Sequence, residues 1–135
     1  ATLANTVPHY IEYTVNGQNL KSTPFYFVSK FTYSLSAAYT YDTPLGPWRT
    51  QLDWQHDSVM PTSGAIGVRP AVGLLNARTN VHFDQYDLDV ALYAKNLTDK
   101  TYTQHQTDFT AVNLGWVIGI TGAPRTWGVE VTKRF

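Results

Sequence analysis

The sequence contains no cysteine, and this absence narrows the chemistry open to the chain. Without a thiol there is no disulfide, no thiolate metal site and no cysteine nucleophile. Thiol redox chemistry is therefore excluded. The lack of cysteine is compatible with an oxidising periplasm or a cell surface.

Long apolar runs and an excess of charge of one sign are missing as well. No stretch approaches the roughly 18 consecutive apolar residues of a membrane-spanning helix, and the amino terminus lacks the basic and then apolar layout of a signal peptide. Ten basic and ten acidic residues give a formal net charge of zero, which argues against a nucleic-acid partner. Because the first residue is Ala1 rather than methionine, we expect a processed chain or, preferably, a piece of a longer one.

What the sequence does contain is a two-residue alternation of apolar and polar side chains, the period of a β-strand. The longest example runs from Phe25 to Tyr41, with mostly aromatic and apolar side chains at odd positions. Further examples cover Trp48–Ser58, Leu75–Phe83, Tyr86–Ala94 and Trp127–Phe135. The pattern predicts about five strands, with a partial sixth over Tyr10–Val15 before the Asn16–Gly17 turn signal.

The segments between these strands divide into short turns and long connections. Two prolines and a glycine predict a turn over Asp42–Pro47, because proline cannot donate to a β-ladder. Asp84 and Gln85 form a second short connection. Longer connections are predicted over Asn16–Pro24, Val59–Pro70 and Thr103–Gly122. An all-β, antiparallel fold follows.

Alternation alone fits either a soluble barrel with its apolar side inward or a membrane barrel with its apolar side outward. The strands are longer than the usual 5 to 6 residues of globular proteins and suit tilted transmembrane strands of about 9 to 11. Aromatic residues fall near strand ends, where membrane barrels place their girdles. Nearly all strand charges fall on the polar faces, namely Lys30, Arg49, Asp53, Asp57, Arg78, Asp87, Asp89, Lys95, Glu130 and Arg134, and Lys133 is the exception. These observations favour an antiparallel transmembrane β-barrel segment.

Two short motifs add a family likeness. Asn96, Leu97, Asp99 and Tyr102 resemble the Asn-Leu-x-Asp-x-x-Tyr segment of TonB-dependent receptors. Downstream, Gly122, Pro124 and Arg125 resemble the Gly-x-Pro-Arg segment that opens the last strand of that family. The alternating residues Trp127, Val129, Val131 and Phe135 resemble its carboxy-terminal assembly signal, although Lys133 stands where the family commonly has an aromatic residue.

The resemblance implies a receptor of the bacterial outer membrane. Its barrel has 22 strands and encloses an amino-terminal plug, and it imports scarce nutrients such as siderophore-bound iron with energy relayed by TonB. The expected partners are outer-membrane lipid, the rest of the barrel and the plug, TonB and the barrel-assembly machinery. Residues 1–135 then form the carboxy-terminal portion of such a barrel, about five or six strands that are incomplete alone, without plug or TonB-contact segment.

The likeness and the strand order also predict orientation and register. Phe135 and the two short turns are expected at the periplasmic rim, with the long connections on the extracellular side. Pairing of the last two long strands is expected to bring Asn96–Asp99 beside Gly122–Arg125. Simple alternation places the Asp99 and Arg125 side chains on opposite faces, which argues against direct contact unless Pro124 kinks the strand.

No catalytic residue, metal site or cofactor is predicted. The four histidines lack helical ligand spacing and a Cys or Glu partner. Two alternatives to the receptor remain open. One is a soluble, lipocalin-like ligand-binding barrel with Phe31, Tyr33, Leu35 and Tyr39 lining an apolar pocket. The other is a small outer-membrane barrel enzyme, although no cluster of histidine, serine or acidic side chains marks a site.

Overall fold

The computed structural model describes residues 1–63, 67–110 and 114–133. The strands in these ranges are β1 (Thr2–Asn5), β2 (Thr14–Val15), β3 (Gln18–Asn19), β4 (Phe31–Thr43), β5 (Gly46–Asp57), β6 (Met60–Ser63), β7 (Gly67–Arg69), β8 (Val72–Phe83), β9 (Leu88–Lys95), β10 (Thr103–Asp108), β11 (Val117–Thr121) and β12 (Thr126–Lys133). Within the same ranges there is no helix of the length and hydropathy that crossing a bilayer requires.

Six strands form one main sheet in the order β1-β4-β5-β8-β9-β12, and every neighbouring pair is antiparallel. The predicted all-β, antiparallel fold is thereby confirmed. The sheet is open, because no pairing among the described residues joins β1 to β12. The remaining strands form three two-stranded hairpins, β2–β3, β6–β7 and β10–β11.

The connections of the main sheet differ strongly between its two ends. At the turn end, β4 joins β5 through Pro44–Leu45, and β8 joins β9 through residues 84–87. At the opposite loop end lie the three hairpins and the segments around them. The predicted division into short and long connections is therefore confirmed, but the connections begin and end at residues other than those predicted.

The first short turn is tighter than the predicted Asp42–Pro47. Both strands continue through these residues until Thr43 pairs with Gly46, so only Pro44 and Leu45 lie outside the ladder. Thr43 Oγ1 donates to the Gly46 carbonyl at 2.7 Å and accepts from Leu45 N at 3.2 Å. Gly46 has a φ of 129°, and a Cβ there would lie 2.0 Å from the His82 carbonyl oxygen. A hairpin this short needs glycine at that position.

The longest predicted strand begins six residues later than the alternation indicated, at Phe31 rather than Phe25. Phe27 has a φ of 62°, a left-handed conformation that breaks a strand. Its N–H donates to the Pro61 carbonyl at 2.7 Å, and its ring stacks on the His105 ring with centroids 5.2 Å apart. Contacts with distant segments therefore override the local alternation.

Other boundaries were also wrong. The predicted long connections contain the hairpins β6–β7 and β10–β11, and β1 was not predicted. Tyr86 lies in the turn before β9, where its N–H donates to the Phe83 carbonyl at 3.1 Å. Only Thr14–Val15 of the partial strand predicted over Tyr10–Val15 forms a strand. Phe135 lies outside the described residues.

The main sheet is a single layer. Among the described residues, Val72 and Ala91 are the only apolar side chains classed as buried. Several large apolar side chains in the middle of the strands are about half exposed, including Leu35 at 52%, Leu92 at 49% and Leu52 at 45%. A soluble domain of this size normally buries most of its apolar side chains. Both faces of the sheet are thus available as surfaces.

Candidate functional site

One face of the main sheet is mostly apolar from β4 to β12. Cross-strand registers bring its residues into continuous rows, such as Ala37, Leu52, Ala77, Ala94 and Trp127, and Tyr41, Trp48, Val81, Val90 and Val131. We call this surface the apolar face. Exposure is greatest on β12, where Trp127, Val129 and Val131 are 72%, 60% and 63% exposed.

Three polar side chains on the apolar face bond to one another, and the His56 ring on the same face stacks on the Tyr33 ring with centroids 4.9 Å apart. Trp48 Nε1 donates to Thr79 Oγ1 at 2.6 Å, and Thr50 Oγ1 lies 2.9 Å from the same hydroxyl. The Tyr41 and Trp48 rings stack with centroids 5.7 Å apart. Lys133 faces Leu88, next to the turn at residues 84–87. The charged side chain of Lys133 on this face therefore lies at the turn end of the sheet.

The opposite, polar face has charges paired across strands. Arg78 Nη2 lies 3.1 Å from Glu130 Oε2, two strands away. Asp53 Oδ1 accepts from Ser36 Oγ at 2.6 Å and from Gln51 Nε2 at 3.0 Å. The Arg78–Glu130 and Ser36–Asp53 contacts each join two different strands, so hydrogen bonds tie strands together on the polar face.

Near the turn end of the polar face, His82 is surrounded by carboxylates. Its Nδ1 lies 2.9 Å from Asp89 Oδ1, and its Nε2 lies 3.6 Å from Asp84 Oδ1. No group of three histidine, cysteine or acidic side chains in the described ranges is arranged to hold a metal ion. The arrangement acts as a polar contact that ties the turn to β8 and β9.

Asn96 is the centre of the first sequence motif and one of the few buried polar residues, at 4% exposure. Its Nδ2 donates to the carbonyls of Lys100 at 2.9 Å and Ala123 at 3.2 Å, while its Oδ1 accepts from Lys100 N at 2.9 Å. Its N–H donates to Asn76 Oδ1 at 3.0 Å. A φ of 50° suits asparagine, which tolerates the left-handed region better than most residues.

Asp99 and Arg125 join the two motifs. The backbone N–H of Arg125 donates to Asp99 Oδ1 at 3.0 Å, and Arg125 Nη2 lies 3.7 Å from Asp99 Oδ2. The expectation that these side chains point apart was wrong. Asp99 lies in a left-handed turn with a φ of 53°, and Arg125 precedes β12, so strand alternation applies to neither.

Tyr102 and Gly122 make the third contact between the motifs. Gly122 N donates to the Tyr102 carbonyl at 2.8 Å. A Cβ on Gly122 would lie 1.9 Å from Tyr102 Cζ, so the ring occupies the space that any other residue would fill. The position of the Tyr102 ring therefore requires glycine at position 122.

We call the set Asn96, Asp99, Tyr102, Gly122 and Arg125 the base clamp. It closes the base of the β10–β11 hairpin at the point where β9 ends and β12 begins. The predicted register is confirmed, because Lys95 pairs with Thr126 immediately beside the clamp. Leu97 and Pro124 lie on its exposed flank, and Leu97 N donates to the Leu75 carbonyl at 2.7 Å.

The sequence did not indicate a second polar contact at the loop end. Arg69 is 8% exposed; its Nη1 lies 3.3 Å from Asp57 Oδ2, and its Nη2 donates to Ser29 Oγ at 3.0 Å. The pair ties β7 to the end of β5. Asp57 belonged to a predicted polar face, but no local pattern could have paired it with a residue in a segment predicted as loop.

Together, the described surfaces form a two-sided sheet with a clamped hairpin at its loop end. An exposed apolar face, a polar face with paired charges and a clamped hairpin can separate two environments and present loops. No protein-family model, curated protein or solved structure matches this chain.

Proposed function

We propose that the chain forms part of the wall of a bacterial outer-membrane β-barrel of the TonB-dependent receptor type, which takes up a scarce nutrient such as siderophore-bound iron. In this proposal the apolar face contacts lipid and the polar face contacts the interior of the barrel. The plug, TonB and the barrel-assembly machinery are partners of the complete receptor.

The observation that carries the proposal is the exposed apolar face. Apolar side chains along five long strands lie side by side, and no layer formed by the described residues covers them. In water, such an exposed apolar surface would promote association with other molecules. Lipid acyl chains would cover it without a second sheet. A lipocalin-like barrel would instead enclose these side chains around a cavity, which their exposure does not support.

The polar groups of the apolar face fit the same environment. A hydrogen-bonding group without a partner is expensive in hydrocarbon. The Trp48, Thr50 and Thr79 side chains bond to one another. A lysine facing lipid costs about 2–4 kcal/mol at the bilayer midplane but about 0–1 kcal/mol near the interface. Lys133 lies beside the turn end, where the smaller cost applies.

Closure of the wall requires further strands. Among the described strands, β1 and β12 each have a neighbour on one side only, and open edges are not tolerated in the hydrocarbon region. We propose that other strands of the same receptor pair with both edges. The short turns then face the periplasm, and the three hairpins face the cell exterior.

Single cysteines at Ala37 and Ala38 test which face meets lipid. These adjacent exposed alanines lie on opposite faces of β4, since Ala37 pairs with Leu52 and Ala38 with Gln51. The chain has no native cysteine, so a fluorophore can be attached at a single position in each variant. In reconstituted bilayers, a probe at Ala37→Cys should be quenched by a lipid-bound nitroxide, and a probe at Ala38→Cys by aqueous iodide.

The two labelled variants control for each other, because they share strand, residue type and exposure. Equal quenching by the lipid-bound nitroxide at both positions would reject the two-faced wall. A protein that stays soluble and monomeric without detergent would favour the lipocalin-like alternative. Transport itself is tested by measuring iron-chelate uptake in cells with and without TonB; uptake independent of TonB would reject the receptor function.

A further inference from the structure

A concave pocket lies at the loop end of the sheet, outside both the base clamp and the two faces. It encloses about 450 Å³ and is formed by the segments at residues 7–9, 21–25 and 28–30 together with Pro61. Pockets of this size accept small organic molecules. Neither the two faces of the sheet nor the base clamp accounts for this pocket.

The pocket combines positive charge with apolar walls. Lys21, Lys30 and His9 line it, and none of its lining residues is acidic. Phe25 and Val28 contribute apolar surface to the same wall. Among the described residues, neither lysine forms an ion pair. In the same described ranges, Arg69, Arg78 and Arg125 are paired with carboxylates that lie outside the pocket, and these ion pairs leave Lys21 and Lys30 unoccupied.

Hydrogen bonds and ring contacts hold the walls of the pocket in place. Thr6 N donates to the Lys30 carbonyl at 2.8 Å, and Lys21 N donates to Asn19 Oδ1 at 3.0 Å. The Phe25 ring stacks on the Tyr10 ring with centroids 4.1 Å apart. These contacts restrain the backbone that carries both lysines. Less conformational entropy is therefore lost when a ligand binds.

Backbone strain at the neighbouring Phe27 also favours a binding site in this segment. A bulky residue in the left-handed region costs about 1–3 kcal/mol, and such residues concentrate at binding sites. The Phe27 N–H donates to the carbonyl of Pro61, a residue that lines the pocket, so this strained residue is held beside the pocket lining. The fold therefore maintains a specific shape here at an energetic cost.

We propose that this pocket binds a small organic anion that carries two or more carboxylate groups on an apolar body. The ammonium groups of Lys21 and Lys30 each donate charge-assisted hydrogen bonds to a carboxylate, and His9 lies within the same lining. The apolar body lies against Phe25 and Val28. The proposed binding rests on the geometry of the pocket. The further idea that the pocket makes the first contact with a transported molecule rests on the proposed function.

Isothermal titration of the detergent-solubilised protein with benzene-1,3,5-tricarboxylate tests the site. We expect saturable one-to-one binding that weakens as salt is added. The variants Lys21→Gln and Lys30→Gln should each weaken it roughly tenfold, since each removes a charge-assisted hydrogen bond. Lys100→Gln is the matched control, because its exposed side chain lies outside the pocket, and it should bind as the parent does.

Two further probes make the outcome decisive. The neutral trimethyl ester of the same ring should not bind, and inorganic phosphate should bind at least tenfold more weakly because it lacks an apolar body. Unchanged affinity in Lys21→Gln and Lys30→Gln, with circular dichroism unchanged, would overturn the proposal, as would equal affinity for phosphate. Binding without TonB-dependent uptake would leave the pocket standing and reject only its role in transport.

Discussion

Substitution of Asn96 tests whether the motif acts as a clamp. Replacement by glycine keeps the left-handed backbone but removes three side-chain hydrogen bonds, two to carbonyls and one from Lys100 N. At about 1 kcal/mol for each bond, Asn96→Gly should lower the free energy of unfolding by about 3 kcal/mol. Asn96→Ala loses the same bonds and also places a Cβ at a φ of 50°. It should be less stable than the glycine variant by about a further 1 kcal/mol.

The order of these two variants is the critical result. Urea unfolding of the protein in detergent micelles, followed by tryptophan fluorescence, gives the free energies if the slopes of the transitions agree. Thr98→Ala is the control, since this exposed residue lies in the same turn and should change stability by less than about 0.5 kcal/mol. An alanine variant as stable as the glycine variant, or a glycine variant as stable as the parent, would refute the clamp.

Three other perturbations follow from the geometry. In bilayers, Ala37→Arg on the apolar face should lower stability by about 2–4 kcal/mol, whereas Ala38→Arg on the polar face should change it little; equal losses in reversible unfolding would contradict the two-faced wall. Asp57→Asn leaves the buried Arg69 guanidinium without its carboxylate, so we expect a loss of about 3 kcal/mol or more in the same assay; a loss under about 1 kcal/mol would count against that buried pair. Gly122→Ala displaces the ring packed against it, and faster amide hydrogen exchange at the base of β10 and β11 should report this; unchanged exchange would exclude that displacement.

Much of the main sheet could be predicted because its strands obey one simple rule. Side chains on β5, β8, β9 and β12 alternate between two surfaces, and the long strands make that alternation visible in the sequence. The rule failed where the chain leaves the sheet. Phe25 and Phe27 continue the alternating pattern, but Phe27 turns away to contact Pro61 and His105, residues far along the chain.

The loop-end hairpins escaped prediction for a different reason. β6 contains Pro61 and has an irregular register between Pro61 and Ser63, while β10 is polar and has a register shift near Thr103. Such strands lack both the apolar alternation and the length that identify a strand from sequence. Their pairing depends on the partner strand, which local patterns do not reveal.

For the base clamp, the sequence indicated the residues and their proximity but not their contacts. The two motifs were expected side by side because β9 and β12 pair, and they are. The sequence argued against the Asp99 contact with Arg125, because strand geometry was assumed for residues that lie outside the strands. Asn76, which accepts from Asn96 N, belongs to neither motif, so only the coordinates reveal it.

The base clamp also has a consequence for how the exterior of this protein can diversify. Because the two motifs fasten the chain at the root of the β10–β11 hairpin, they hold the alignment of β9 with β12 whatever the length of the hairpin. Beyond the contact of the His105 ring with Phe27, the hairpin can then be lengthened, shortened or exchanged, and the strands beneath keep their alignment. Under selection for a new surface shape, the end of the hairpin would thus vary in sequence and length while the paired strands β9 and β12 stay unchanged.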